Sequence, residues 1–179
     1  GAREHALAWK LSVEPGVNEV TVAPGSYAIG AEPRVRALKD LDPLDAERGV
    51  FVAKAIAAEL VVIGPEAPLA AGVVDALHKH RIAVFGPAAA AARIESSKAF
   101  CHEVAAGAGV RMARSGAFRD PGEALEFARE LEASGRGVVV KADGLMAGKG
   151  VAVCDSLDEA ERAIGELASH VAASRHAPD

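Results

Sequence analysis

The chain is 179 residues long, 50% hydrophobic and 25% charged, with a formal net charge of −5. This is the balance of a soluble globular protein, long enough for one ordinary domain or two small ones. The acid excess and the lack of a Lys/Arg run argue against a nucleic-acid partner. No apolar run reaches the ~20 residues that cross a bilayer, and no signal peptide is recognised; a cytoplasmic chain with no membrane partner is expected.

Aromatics are scarce, with one Trp, one Tyr and five Phe. Ala, Val and Leu must fill the core, as in helix-covered parallel sheets. Cys101 and Cys154 lie far apart and form no metal or redox pattern, so two buried thiols in a reducing compartment are expected. The abrupt start at Gly1-Ala2-Arg3 and the trailing 171–179 suggest a fragment cut at both ends.

In chain order, residues 5–13 read as a short helix, Val17–Val22 as a strand ended by Ala23-Pro24-Gly25, and Val35–Leu38 as a second strand. Asp42-Pro43 reads as the start of a helix to about Ala58, since Asp caps and Pro fits the first turn. Leu60–Ile63 is a buried strand ended by Gly64-Pro65. A helix over 69–80 and the strand Ile82–Phe85, ended by Gly86-Pro87, follow. Strands alternating with helices predict right-handed βαβ units and a parallel sheet.

After residue 87 the pattern changes. An Ala-rich helix is predicted over 88–106, and a second from Asp120-Pro121 to about Ala133. Gly137–Lys141 reads as a strand, followed by a Gly-rich loop and the strand Val151–Cys154. An amphipathic helix is predicted over 156–169, with Leu157, Ala160, Ile164 and Leu167 on one side.

The strongest chemical signal is the loop Asp143-Gly144-Leu145-Met146-Ala147-Gly148-Lys149-Gly150. Its three glycines let backbone N–H groups approach an anion closely, and Lys149 adds a positive charge. It is not a P-loop, because the glycines are one residue too close and no Ser/Thr follows the lysine. A strand follows rather than a helix, which predicts a hairpin flap over phosphates; the bland alternative is a plain glycine hairpin.

Lys141 shares a strand face with Val139 and Asp143 near the end of an apolar strand. It either meets an anion or is an edge lysine reaching water. Lys98, placed on the apolar stripe of a continuous 88–106 helix, either snorkels or reaches a phosphate. Glu66, just past a strand end, either contacts a substrate hydroxyl or amine or is solvated in a Pro-rich turn. Arg3-Glu4-His5 opens a helix, where a phosphate is favoured. His78 and His80 point in different directions and read as surface residues.

Several of these segments carry a family resemblance. Gly1–Ala6, Val22–Gly25, Val62-Ile63-Gly64-Pro65-Glu66-Ala67-Pro68-Leu69, Phe85-Gly86-Pro87, Glu95–Phe100 and Val140–Val151 occur in this order and together resemble the phosphoribosylamine–glycine ligases (glycinamide ribonucleotide synthetases) of the ATP-grasp superfamily. The resemblance covers about residues 1–170. It implies an α/β chain: a Rossmann-like parallel-sheet N-terminal domain over 1–92, a connecting helix and linker over 93–112, and the beginning of an ATP-grasp domain with its Gly-rich flap over 113–179. It also implies a reaction in which ATP, glycine and 5-phosphoribosylamine give glycinamide ribonucleotide, ADP and phosphate through glycyl phosphate. Lys98, Lys141, Asp143, Gly144, Gly148, Lys149 and Gly150 are the implied ATP-binding residues. Arg3, Glu4, His5, Gly64, Pro65 and Glu66 are implied to lie on the phosphoribosylamine side.

There are departures. The family's first strand, ahead of Gly1, is absent. So is the larger C-terminal ATP-grasp part, which implies that the ligands for Mg²⁺ or Mn²⁺ lie beyond this stretch. Ser96 stands where the family usually has Gly, Met146 where it has Ala, and Ser26-Tyr27 where it has Asn-Ala. Another ATP-grasp carboxylate–amine ligase and a non-catalytic nucleotide-binding fragment are the competing readings. The chain alone is expected to be inactive.

Overall fold

The computed structural model describes residues 1–135, 137–146 and 150–174, with side chains described as far as 170. The chain divides into two compact units, Gly1–Arg93 and Ile94–Asp179.

The first unit contains α1 (Ala2–Ser12), β1 (Val20–Val22), α2 (Tyr27–Gly30), β2 (Val35–Ala37), α3 (Ala46–Ala55), β3 (Val61–Val62), α4 (Glu66–Ala70), α5 (Val73–Lys79) and β4 (Val84–Phe85). Its strands pair in parallel, as the βαβ reading requires. Val20 lies opposite Val35 in one pair, and Val61 lies opposite Val84 in the other. The strands are shorter than their apolar runs. Val17 lies outside β1: its N–H donates to Glu14 O (3.3 Å) and its carbonyl accepts from Arg34 Nη1 (2.8 Å).

The helices depart from the sequence reading at three places, each for a local reason. Asp45, not Asp42, caps α3, its carboxylate accepting from Arg48 N (2.9 Å). Asp42 closes the preceding turn by accepting from Leu44 N (2.9 Å). The helix expected over 69–80 is two, α4 and α5, divided at Gly72, whose φ of +84° is left-handed and suits glycine. The short α2 was not expected; Ser26 caps it by accepting from Ile29 N (3.3 Å).

The core of this unit is small and aliphatic. Val50, Ala53, Val73 and Leu77 are buried, with Val61, Ile63 and Val84 packed against them. Helices α3 and α5 thus cover one face of the β3–β4 pair.

Helix α6 (Ala89–Ser96) spans the boundary between the units, and the second unit continues with α7 (Lys98–Gly107), α8 (Pro121–Ala133), β5 (Val138–Lys141), β6 (Val151–Cys154) and α9 (Leu157–Ser174). Its order is the predicted helix, helix, strand-loop-strand, helix. The Ala-rich helix expected over 88–106 is broken at Ser97, whose φ of −133° and ψ of 115° are extended. Lys98 therefore opens a new helix and does not lie on the apolar stripe expected of a continuous one. Asp120 caps α8 through Gly122 N (2.9 Å) and Glu123 N (3.1 Å), with Pro121 at its first position.

Strands β5 and β6 are antiparallel, with Val139 opposite Val153 and Lys141 opposite Val151. One face of the hairpin is core: Val138 and Cys154 pack with Ala128, Ala160, Ala163 and Ile164 of α8 and α9. Ala160 is completely buried, so the two helices approach closely there. Cys101, expected to be buried, is only half-buried. Burial pushes the Cys154 thiol up, reinforced by the negative charge of Glu159.

The Asp120 cap yields a direct expectation. Asp120→Ala leaves two first-turn N–H groups without their acceptor and is expected to destabilise the second unit by about 1 kcal/mol. Denaturant unfolding followed by circular dichroism reads the shift, and an unchanged midpoint contradicts it.

Candidate nucleotide and substrate sites

The first group of residues joins two segments distant in sequence. Arg3, in the first turn of α1, donates from Nη1 to Gly64 O (3.2 Å) and to Glu66 Oε2 (3.1 Å). Gly64 follows β3, and Glu66 opens α4. The Glu66 carboxylate lies below its ordinary range because its own backbone N–H and the Arg3 guanidinium both donate to it. Gly64 faces Glu4 so closely that a Cβ there would lie 3.2 Å from Glu4 Oε1. His5 Nε2 lies 2.8 Å from Glu32 Oε1. Pro65 precedes α4 in extended conformation.

Arg3, Glu4, Gly64, Pro65 and Glu66 thus form one cluster at the junction of the α1 start and the β3 end. His5 turns to Glu32, a residue with no signal in the sequence. The N-cap residue of α1, Gly1, makes no side-chain capping bond, and within the first turn the Glu4 carboxylate accepts from its own backbone N–H.

The second group lies at the β5–β6 hairpin. Below the loop, Ala142 N donates to Gly150 O (2.8 Å). A Cβ at position 150 would come within 2.7 Å of Met146 Cβ, so this crossing admits only glycine. Gly144, with φ +109°, also needs glycine. Gly148 and Lys149 lie outside the described residues.

The outer face of the hairpin is apolar and ends in a cation. Val139, Val151 and Val153 are 48%, 51% and 75% exposed, and the register places exposed Lys141 beside them. Such a face offers a flat apolar surface to a ring and an ammonium to an anion beyond it. Among the described residues, Lys141 takes part in no ion pair.

Lys98 is tied to the same loop. Its Nζ donates to Gly144 O (2.9 Å). Asp143, beyond the end of β5, points its carboxylate at the start of α7. Oδ1 accepts from Lys98 N (2.6 Å) and Ala99 N (3.3 Å), and Oδ2 accepts from Ser97 Oγ (3.0 Å). Ser97 Oγ in turn accepts from Phe100 N (3.2 Å).

Burial opposes ionisation of Asp143, but donation from Ala99 N, Ser97 Oγ, Lys98 N and Gly144 N outweighs it, so the carboxyl lies below its ordinary value. With the folded value depressed, this contact stabilises the fold above the unfolded-state value of about 3.9 and is lost as pH falls through the folded one. The backbone amide shifts of Lys98 and Ala99 are therefore expected to titrate together, with a midpoint below about 3.9. A midpoint at or above that value in an NMR titration contradicts the geometry.

Among the described residues, no group of three or more His, Cys, Asp or Glu can hold a metal ion, and no helix is long and apolar enough to cross a membrane.

Residues 1–95 match the family model for the N domain of phosphoribosylglycinamide synthetase, and residues 96–176 match that for its ATP-grasp (A) domain. The chain belongs to the phosphoribosylglycinamide synthetase family. A phosphoribosylamine–glycine ligase of Streptomyces coelicolor is 48% identical over 160 residues, covering 89% of this chain and 37% of that protein. One of Vibrio vulnificus is 43% identical over 171 residues, covering 93% and 38%. The chain thus spans under two fifths of the length of these relatives.

The crystal structure of phosphoribosylamine–glycine ligase from Thermotoga maritima matches with a TM-score of 0.68 at 31% identity, covering 90% of this chain and 36% of that one. The biotin carboxylase domain of Hydrogenobacter thermophilus 2-oxoglutarate carboxylase, solved with MgADP, ADP and bicarbonate, matches with a TM-score of 0.72 at 22% identity. It covers 95% of this family member and 39% of that chain, and the likeness is one of fold.

Proposed function

We propose that this sequence serves a ligase that joins glycine to 5-phosphoribosylamine at the expense of ATP. In this reading the glycine carboxylate attacks the γ-phosphorus, giving glycyl phosphate and ADP. The amine of phosphoribosylamine then attacks the glycyl carbon, forming the amide and releasing phosphate. The chain's contribution is to binding. Lys98, Lys141 and the flap from Gly144 to Gly150, with Gly148 and Lys149, grip the ATP phosphates, and the Val139–Val151–Val153 face carries the purine. The Arg3–Glu66 cluster, with Glu4, His5, Gly64 and Pro65, takes the phosphoribosylamine side, where the start of α1 offers N–H groups to the phosphate.

The observation that carries the reading is the tie between Lys98 and the loop: two motifs 46 residues apart meet where the glycines converge. The 48% identity to a phosphoribosylamine–glycine ligase supports this choice of reaction. Mg²⁺ or Mn²⁺ is expected to accompany ATP, held by ligands outside the described residues. We place the protein in the cytoplasm, with small-molecule partners only and neither nucleic acid nor membrane. Residues 1–92, 93–112 and 113–179 serve as substrate domain, connector and start of the ATP-grasp domain.

Phosphate release tests the reading. A full-length ligase carrying this segment is expected to release phosphate only when ATP, glycine and phosphoribosylamine are all present, and the 179-residue chain is expected to release none. Release that ignores glycine or phosphoribosylamine overturns the substrate assignment, and robust turnover by the chain alone overturns the division of labour.

A further inference from the structure

Asp143 stands out because its carboxylate is already fully engaged. Three contacts from Ser97, Lys98 and Ala99 converge on it across more than forty residues of sequence. The result is a complete account of the first turn of α7. Lys98 N and Ala99 N go to Asp143, Phe100 N goes to Ser97 Oγ, and Cys101 N goes to Ser97 O (3.0 Å). A helix start normally leaves these donors open to an anion. Here a carboxylate of the same unit fills that role, so no phosphate is needed at this helix end.

The same residue pair aims a lysine. Asp143 fixes the backbone of Lys98, and the next carbonyl along, that of Gly144, accepts from Lys98 Nζ. The lysine is held at both ends by consecutive residues of the loop base. An ammonium has three donors, so one bond to Gly144 O leaves others for a ligand oxygen. Asp143 is also an anion beside a site read as holding a triphosphate. Direct contact between the two would be repulsive without an intervening cation.

We propose that Asp143 is a positioning residue: it locks the first turn of α7 to the base of the Gly-rich loop and thereby aims Lys98, and it does not itself contact the nucleotide. This rests on the ATP-binding reading of the loop, and it replaces the sequence-based expectation that Asp143 binds ATP directly. Ser97 belongs to the same lock, since its hydroxyl joins the carboxylate to the helix.

The test uses a full-length ligase carrying this segment, with Asp143→Ala, Asp143→Asn, Lys98→Ala and the Asp143→Ala/Lys98→Ala double variant. Asp143→Ala is expected to raise the KM for ATP about tenfold, close to the effect of Lys98→Ala. The double variant is expected to be no worse than the poorer single one, because both remove the same aimed cation. Asn keeps an oxygen for the two amides and is expected to recover most of the loss. The Mg²⁺ concentration for half-maximal rate at saturating ATP is expected to stay at the wild-type value in Asp143→Asn.

An unchanged KM in Asp143→Ala, multiplicative effects in the double variant, or a shifted Mg²⁺ requirement overturns the proposal; the last makes Asp143 a metal ligand. Amide hydrogen exchange without nucleotide gives an independent arm. Exchange at Lys98 and Ala99 is expected to quicken at least about tenfold in Asp143→Ala as these amides lose their acceptor, and unchanged exchange overturns the lock. If the wild-type ligase neither binds nor turns over ATP, the function reading fails while the exchange result still judges the lock.

Discussion

Lys141→Ala in a full-length ligase carrying this segment is expected to weaken ATP binding by about ten- to a hundredfold. The size follows from one hydrogen bond to a charged group, about 1.5–3 kcal/mol, where each 1.4 kcal/mol is a factor of ten. The ammonium sits at the end of β5 beside three exposed valines. A lysine there can hydrate freely, so its position contributes nothing to the fold. The loss should therefore appear in affinity and leave the unfolding midpoint unchanged. Calorimetric titration with ATP measures it, and wild-type affinity returns Lys141 to an exposed strand lysine with no role. Lys141→Arg keeps the charge but not the compact ammonium, and is expected to recover only part of the affinity.

The largest effect on stability is expected at Leu77. Its side chain is 1% exposed and packs among Val50, Ala53 and Val73, with Val61 and Val84 of the parallel pair and Ile63 just past β3 beneath. Truncation to alanine removes buried methyl groups and leaves a cavity between α3 and α5, at a cost of about 2–5 kcal/mol. Small domains have only about 5–15 kcal/mol in hand. The buried residues around it, Val50, Ala53 and Val73, have short side chains that cannot reach in to fill the space. Leu77→Ala is therefore expected to leave the first unit largely unfolded at 37 °C, seen as loss of amide protection across α3, α5 and β3. A cost below about 1 kcal/mol in a denaturant titration contradicts this packing account.

How much of this could be read in the sequence depended on whether the signal was local. Asp120-Pro121 marks a helix start by its own chemistry, and α8 begins there. The valine runs flanking the glycine loop give β5 and β6, since nothing distant competes for them. The breaks at Gly72 and Ser97 were hidden inside runs of good helix formers. At Ser97 the extended conformation goes with a hydrogen bond to Asp143, 46 residues on, which no periodicity reports. The same distance effect governs the sites. Arg3 and Glu66 stand out separately as motifs, but their contact spans 63 residues and became visible only in three dimensions. Glu32, the partner of His5, is an ordinary surface acid in the sequence.

The break at Ser97 bears on how such a protein can change over generations. In an unbroken helix, each inserted or deleted residue upstream turns every later side chain by about 100°. Lys98 escapes that coupling, because its direction is set by Ser97, Asp143 and Gly144 rather than by the helix before it. Length and sequence in α6 are thus free to drift without turning the lysine away from the loop. A single residue inserted between Ser97 and Lys98 has no such freedom. Insertion scanning across 88–99 is the mutational landscape in which that contrast appears.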